Sequence, residues 1–115
     1  METIMSVKKI LSGFALLFLL GSGIVVATDF DKGLKALQSE DFKTALLEWT
    51  PLAKKGNADA QNALGYMYRS GQGVLKNDKT AVKWWTMAAK NGNADAQNAL
   101  AYMYQSGTGV SKSDK

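Results

Sequence analysis

The apolar and polar positions between Asn57 and Gly92 follow a helical period that stops and restarts once. Apolar side chains recur at Ala60, Ala63, Leu64, Met67 and Tyr68, a spacing of three and four that lines them along one side of a helix. Asn57 stands where a capping side chain would accept a free amide, and Asp59 falls in the first turn, where a carboxylate meets the positive end of the helix dipole. Ser70-Gly71-Gln72-Gly73 ends the helix, because glycine tolerates the left-handed backbone of a helix terminus. A second helix starts at about Lys79, capped by Asn77 or Asp78, and packs through Ala81, Trp84, Trp85, Ala88 and Ala89 until Gly92 stops it. The predicted unit is a helical hairpin.

The unit recurs. Gly56 to Lys79 aligns with Gly92 to Lys115 at an offset of 36 residues, and 19 of the 24 aligned positions are identical. The same offset matches Lys43-Thr44-Ala45, Trp49-Thr50 and Ala53-Lys54 with Lys79-Thr80-Ala81, Trp85-Thr86 and Ala89-Lys90. Neither helix can bury its apolar stripe alone, so successive hairpins must stack around one continuous core. Small residues such as Ala60, Ala63, Gly65, Ala88 and Ala89 let helix axes approach, while tryptophans and tyrosines fill the space between layers, with Trp85 and Tyr68 expected to be buried.

Before Thr28 the pattern is different. Lys8 and Lys9 precede an apolar run from Ile10 through Val26, and Val25-Val26-Ala27 fits a signal-peptidase site. Residues 1–27 therefore read as a cleaved signal peptide, with Met5 a better placed start than Met1. The alternative is an uncleaved inner-membrane anchor, since Ile10 to Ala27 is 18 residues and a spanning helix needs about 20. Residues 28–115 then form one helical repeat domain: 28–56 a degenerate first hairpin, 57–92 a full repeat, and 93–115 an incomplete last repeat.

Composition narrows the chemistry. The chain has no cysteine, so packing alone holds an exported fold together and no lipid-modified N-terminal cysteine exists. Residues 28–115 carry 12 basic and nine acidic side chains, a net +3 too mild and scattered for nucleic acid. With neither histidine nor cysteine, and with carboxylates such as Asp59 and Asp95 standing a full repeat apart, no catalytic residue, metal site or cofactor is expected. Gly71-x-Gly73 lacks the lysine and the preceding strand of a phosphate loop, and recurs as Gly107-x-Gly109, as a helix stop should. Trp84-Trp85 and Tyr66-Met67-Tyr68 at helical spacing suit a core better than a platform for sugars or bases.

The run Gly56, Ala58, Ala60, Gln61, Leu64, Gly65, Tyr68, Gly71, Gly73 and Val74, continued by Asp78, Ala81, Trp84, Trp85, Ala88 and Ala89, resembles the Sel-one-like repeat, a bacterial relative of the tetratricopeptide repeat. Residues 92–112 match equally well except at Ala101, where the family has glycine, and alanine there should cost little. Asp29 to Gln38 resembles the abbreviated first helix of such proteins, and Phe42 to Gly56 the second helix of a preceding unit. The resemblance implies an all-α, right-handed superhelical stack of antiparallel hairpins, an α-solenoid used for protein binding. One cysteine-rich branch is linked to β-lactam binding; its paired cysteines are missing here, which leaves a β-lactam-binding or hydrolysing enzyme as a reading by analogy alone.

The resemblance places the first helices along the concave surface, where solenoids bind partners. Asn62, Tyr66 and Arg69 share one face of the first helix, and Asn98, Tyr102 and Gln105 repeat them one unit later. These six are the candidate partner-binding residues, a ladder suited to an extended peptide or a partner helix. The structural repeat positions are Ala60, Leu64, Gly65, Tyr68, Gly71, Gly73, Ala81, Trp85, Ala88, Ala89 and Gly92. Lys115 aligns with Lys79, so Leu100, Met103 and Tyr104 are expected to show an incompletely covered face. Two explanations stand for that end: a docking surface, self-association included, or a truncated repeat-protein fragment. The functional expectation is a periplasmic or secreted adaptor for an unidentified protein or peptide, with a membrane-tethered structural stub as the alternative.

Overall fold

The computed structural model describes residues 28–110; the expected signal segment and residues 111–115 lie outside them. The described residues form five helices: α1 (Asp29–Gln38), α2 (Phe42–Lys54), α3 (Ala58–Ser70), α4 (Asp78–Lys90) and α5 (Ala94–Ser106). Each packs on its neighbour in sequence, giving an all-α solenoid of helical hairpins. None of these helices is long and apolar enough to cross a membrane.

Side chains fix where each helix begins. Asn57, Asn77 and Asn93 accept the backbone amides of Ala60, Thr80 and Ala96 at 2.8, 2.9 and 2.8 Å. Asn77, rather than Asp78, therefore caps α4. Thr28 caps α1 through a reciprocal box, its hydroxyl accepting from the Asp31 amide while its own amide donates to the Asp31 carboxylate. Asp41 caps α2 by accepting from the Thr44 amide.

Tight connections join α2 to α3 and α4 to α5. Asn57 N–H donates to Leu52 O and Gly56 N–H to Ala53 O, and one repeat later Asn93 donates to Ala88 O and Gly92 to Ala89 O. The residue that closes one helix is thus also the cap of the next, which pins the angle between hairpins. The longer α3 to α4 connection uses its two glycines differently. Gly71 ends α3 in left-handed backbone at φ 75°, as expected. Gly73 also makes a close approach, since a Cβ there would lie 2.9 Å from the carbonyl oxygen of Phe42 at the start of α2. Gly109 meets Asp78 O at the start of α4 in the same way.

The core forms two clusters. Ala36, Ala45, Trp49, Ala53, Ala60, Leu64 and Met67 make the first, and Ala81, Val82, Trp85, Ala88, Ala96 and Met103 the second. Trp85 is 1% exposed, as its spacing predicts. Tyr68, also expected to be buried, is only half-buried: it bridges the two clusters, touching both and enclosed by neither. Ala89 is likewise half-buried at the edge of the second. Met103 corrects another expectation. It faces α4 and is fully buried, so of the three residues expected to be incompletely covered only Leu100 and Tyr104 are half-covered, with Ala101 exposed.

Candidate functional site

Each hairpin is locked by a tryptophan from its second helix lying across a glycine of its first. Trp85 lies on Gly65, where a Cβ would sit 2.5 Å from the indole nitrogen, and Trp49 occupies the equivalent space above Gly33. The indole N–H groups find different acceptors at matching places. Trp49 Nε1 donates to the Phe30 carbonyl at 3.1 Å, and Trp85 Nε1 donates to Asn62 Oδ1 at 3.0 Å. Phe30 stacks on Trp49 with centroids 5.3 Å apart, while Tyr66 meets Trp85 edge to face at 5.0 Å.

These pairings set the register between the first two hairpins. Gly33 corresponds to Gly65 at an offset of 32, because the α1 to α2 connection is four residues shorter than the α3 to α4 one. The positions equivalent to Asn62, Tyr66 and Arg69 are therefore Phe30, Leu34 and Leu37. The face of the first helices carries three rungs that grade from apolar on α1 to amide and tyrosine on α5.

The six sequence candidates occupy unlike surroundings. Asn62 is half-buried with its side-chain oxygen committed to Trp85. Arg69 reaches the next repeat: its guanidinium lies 5.4 Å from the centre of the Tyr102 ring, Nη1 donates to Met103 Sδ at 3.3 Å, and Nε stands 3.7 Å from Asp78 Oδ1. Tyr66 and Tyr102 are 49% and 55% exposed, and Asn98 and Gln105 are exposed on α5.

Between α1 and α3 runs a groove of about 430 Å³, of a size that ligand sites commonly have. Phe30, Leu34 and Leu37 of α1 and Asn62, Ala63 and Tyr66 of α3 line it. Its rim holds Asp59, Asn93 and Asp95 from the starts of α3 and α5, with Asn93 Nδ2 donating to Asp59 Oδ1 at 3.0 Å. Two of the six sequence candidates, Asn62 and Tyr66, reach this groove. The sequence reading missed the α1 side because a search at an offset of 36 passes over a repeat displaced by 32; the Gly33/Trp49 pair, set beside Gly65/Trp85, was the signal that could have exposed it.

Among the described residues no three metal-ligating side chains converge, so the groove offers shape, apolar surface and a pair of carboxylates. A stacked-hairpin solenoid with an open groove on its first-helix face belongs to the class of helical-repeat interaction proteins. The chain belongs to the Sel1 repeat family, whose profile matches residues 58–93 and 94–115. It is similar to a Sel1 repeat protein from Oxalobacter formigenes, at 34% identity over 75% of this chain and 34% of that one, with a TM-score of 0.68. It is also similar to c5321, a protective antigen of uropathogenic Escherichia coli strains displaying an SLR fold, at 31% identity over 72% of this chain and 19% of that one, with a TM-score of 0.69. The chain thus spans about a third and a fifth of these two proteins. None of the curated proteins matches it. Sel1 repeat proteins are generally protein-interaction modules, typically non-enzymatic scaffolds.

Proposed function

We propose that this chain is an exported, non-catalytic adaptor that holds a segment of a partner protein against the face of its first helices. The observation that carries the reading is the groove between α1 and α3, where Leu34 and Tyr66 stand 37% and 49% exposed beside a buried, rigid tryptophan lock. Large side chains held open on a stiff support are the ordinary anchor points of a protein interface. A partner captured with the purified protein should bind Leu34→Ser and Tyr66→Ser variants at least tenfold more weakly, with Leu47→Ser on α2 as the unaffected control. Equal capture by all three would remove the groove from the reading.

Export rests on the basic and apolar pattern of residues 1–27, followed directly by the capping box that opens α1 at Thr28. Cleavage there leaves the new α-amino group at the helix cap, beside the Asp31 carboxylate. The 18-residue apolar run favours a second reading, a membrane-tethered adaptor. Mass spectrometry of the N-terminus separates them: a chain beginning at Thr28 is exported and free, and one retaining Ile10 to Ala27 in the membrane fraction is tethered.

A further inference from the structure

We infer that the groove between α1 and α3 selects peptide segments in which a large aliphatic or aromatic side chain lies next to a lysine or arginine. The inference rests on the first-helix face being the binding surface and adds the chemistry of what it holds. One side of the groove is apolar, with Phe30, Leu34 and Leu37 on α1. At the other, Asp59 and Asp95, one repeat apart, face the same space from the first turns of α3 and α5. No lysine or arginine lines the groove, and among the described residues neither carboxylate takes part in an ion pair.

This local sign runs against the molecule's own charge. The chain carries a net +4, yet none of its described lysines lines the groove: Lys32 and Lys35 are on α1 but outside the lining, Lys32 paired with Asp29, while Lys43, Lys54, Lys79, Lys83 and Lys90 lie on the second helices. The cation on α3, Arg69, is already engaged with Asp78 and Tyr102. A bound segment would meet hydrocarbon at the α1 end and two carboxylates at the α3 and α5 end. Both carboxylates sit in the first turns of their helices, at the positive ends of the helix dipoles, which tempers their pull on a cation. The apolar floor therefore supplies most of the affinity and the carboxylates the preference, about three- to tenfold for the pair together.

Selection of a random dodecapeptide library on the purified protein tests this, followed by titration of the best peptide and of its Lys/Arg→Glu counterpart. The expected result is enrichment of peptides pairing Lys or Arg with Leu, Ile, Phe or Trp within two residues. The Glu counterpart should bind about three- to tenfold more weakly, the gap should close in the Asp59→Asn/Asp95→Asn protein, and 0.5 M NaCl should narrow it. Enrichment of apolar peptides without basic residues, lost in Leu34→Ser, overturns the charge selection and leaves the groove reading intact. Enriched peptides indifferent to Leu34→Ser and Tyr66→Ser overturn both.

Discussion

Gly65 and Trp85 share one space: the indole of the second helix occupies the volume that any side chain on Gly65 would need, and a Cβ there would lie 2.5 Å from Nε1. Ala101 stands at the same repeat position on α5, exposed, with no described helix lying over it. The tolerance expected for alanine at this position thus holds for α5, where the space is open, and does not extend to α3.

The two positions should respond oppositely in mechanism. Gly65→Ala forces the buried indole aside, at about 1–3 kcal/mol of packing, against a helix-propensity gain of about 1 kcal/mol. Ala101→Gly loses only that propensity, about 1 kcal/mol. Urea melts should show destabilisation in both, with Trp85 fluorescence altered in the native state of Gly65→Ala alone.

Gln61 and Gln97 form a second natural comparison. Gln61 is 1% exposed, donates to the Ala53 carbonyl at 2.9 Å and accepts from Asn91 at 3.1 Å, tying α2, α3 and α4 together. Gln97, one repeat on, makes a 3.2 Å bond to Ala89 O from an exposed position. Gln61→Ala should cost about 1–3 kcal/mol through lost buried bonds, and Gln97→Ala about 0.5 kcal/mol or less. Equal melting losses would show that the latch contributes nothing.

Arg69 should couple energetically to Tyr102 across the repeat boundary, by about 0.5–1 kcal/mol in a double-mutant cycle of chemical denaturation. The coupling should survive Tyr102→Phe, which keeps the ring, and vanish in Tyr102→Leu. Gln105 takes the place of Arg69 in the last unit, so Arg69→Gln is the gentlest test of the brace.

Asp41 gives α2 an acid-sensitive start. Hydrogen bonds from the Thr44 hydroxyl and amide hold its carboxyl below the ordinary aspartate value. A group with a depressed folded value adds stability above its unfolded pKa, about 3.9, and that contribution is lost as pH falls through the folded value. Protection of the Thr44 amide from hydrogen exchange should therefore decline below about pH 4, and Asp41→Asn should remove the decline. The asparagine caps at Asn57, Asn77 and Asn93 should show no such transition.

Much of the fold was legible because caps and stops are local chemistry. Asn57, Gly71 and Gly92 each act within a few residues of themselves, and the helix ends follow them. Burial was less legible, because it depends on which neighbour arrives. Periodicity cannot tell Met103, fully buried against α4, from Leu100, which packs on the same cluster but is only half-covered. The site was the least legible part. Asn62 and Asn98 are identical in sequence context, yet Asn62 accepts from the Trp85 indole while Asn98 is exposed on α5. The α1 side of the groove was hidden by a loop four residues shorter than its successor, which shifts Phe30, Leu34 and Leu37 out of the 36-residue frame.

The central claim is that partners are held on the face of the first helices. Site-specific photo-crosslinking in producing cells tests it most directly, with benzoylphenylalanine placed at Tyr66 on α3 or at the 72% exposed Leu47 on α2. A discrete adduct from position 66, absent from position 47 and lost with Leu34→Ser, is the predicted result. Adducts from position 47 alone, or equally from both, would contradict the claim.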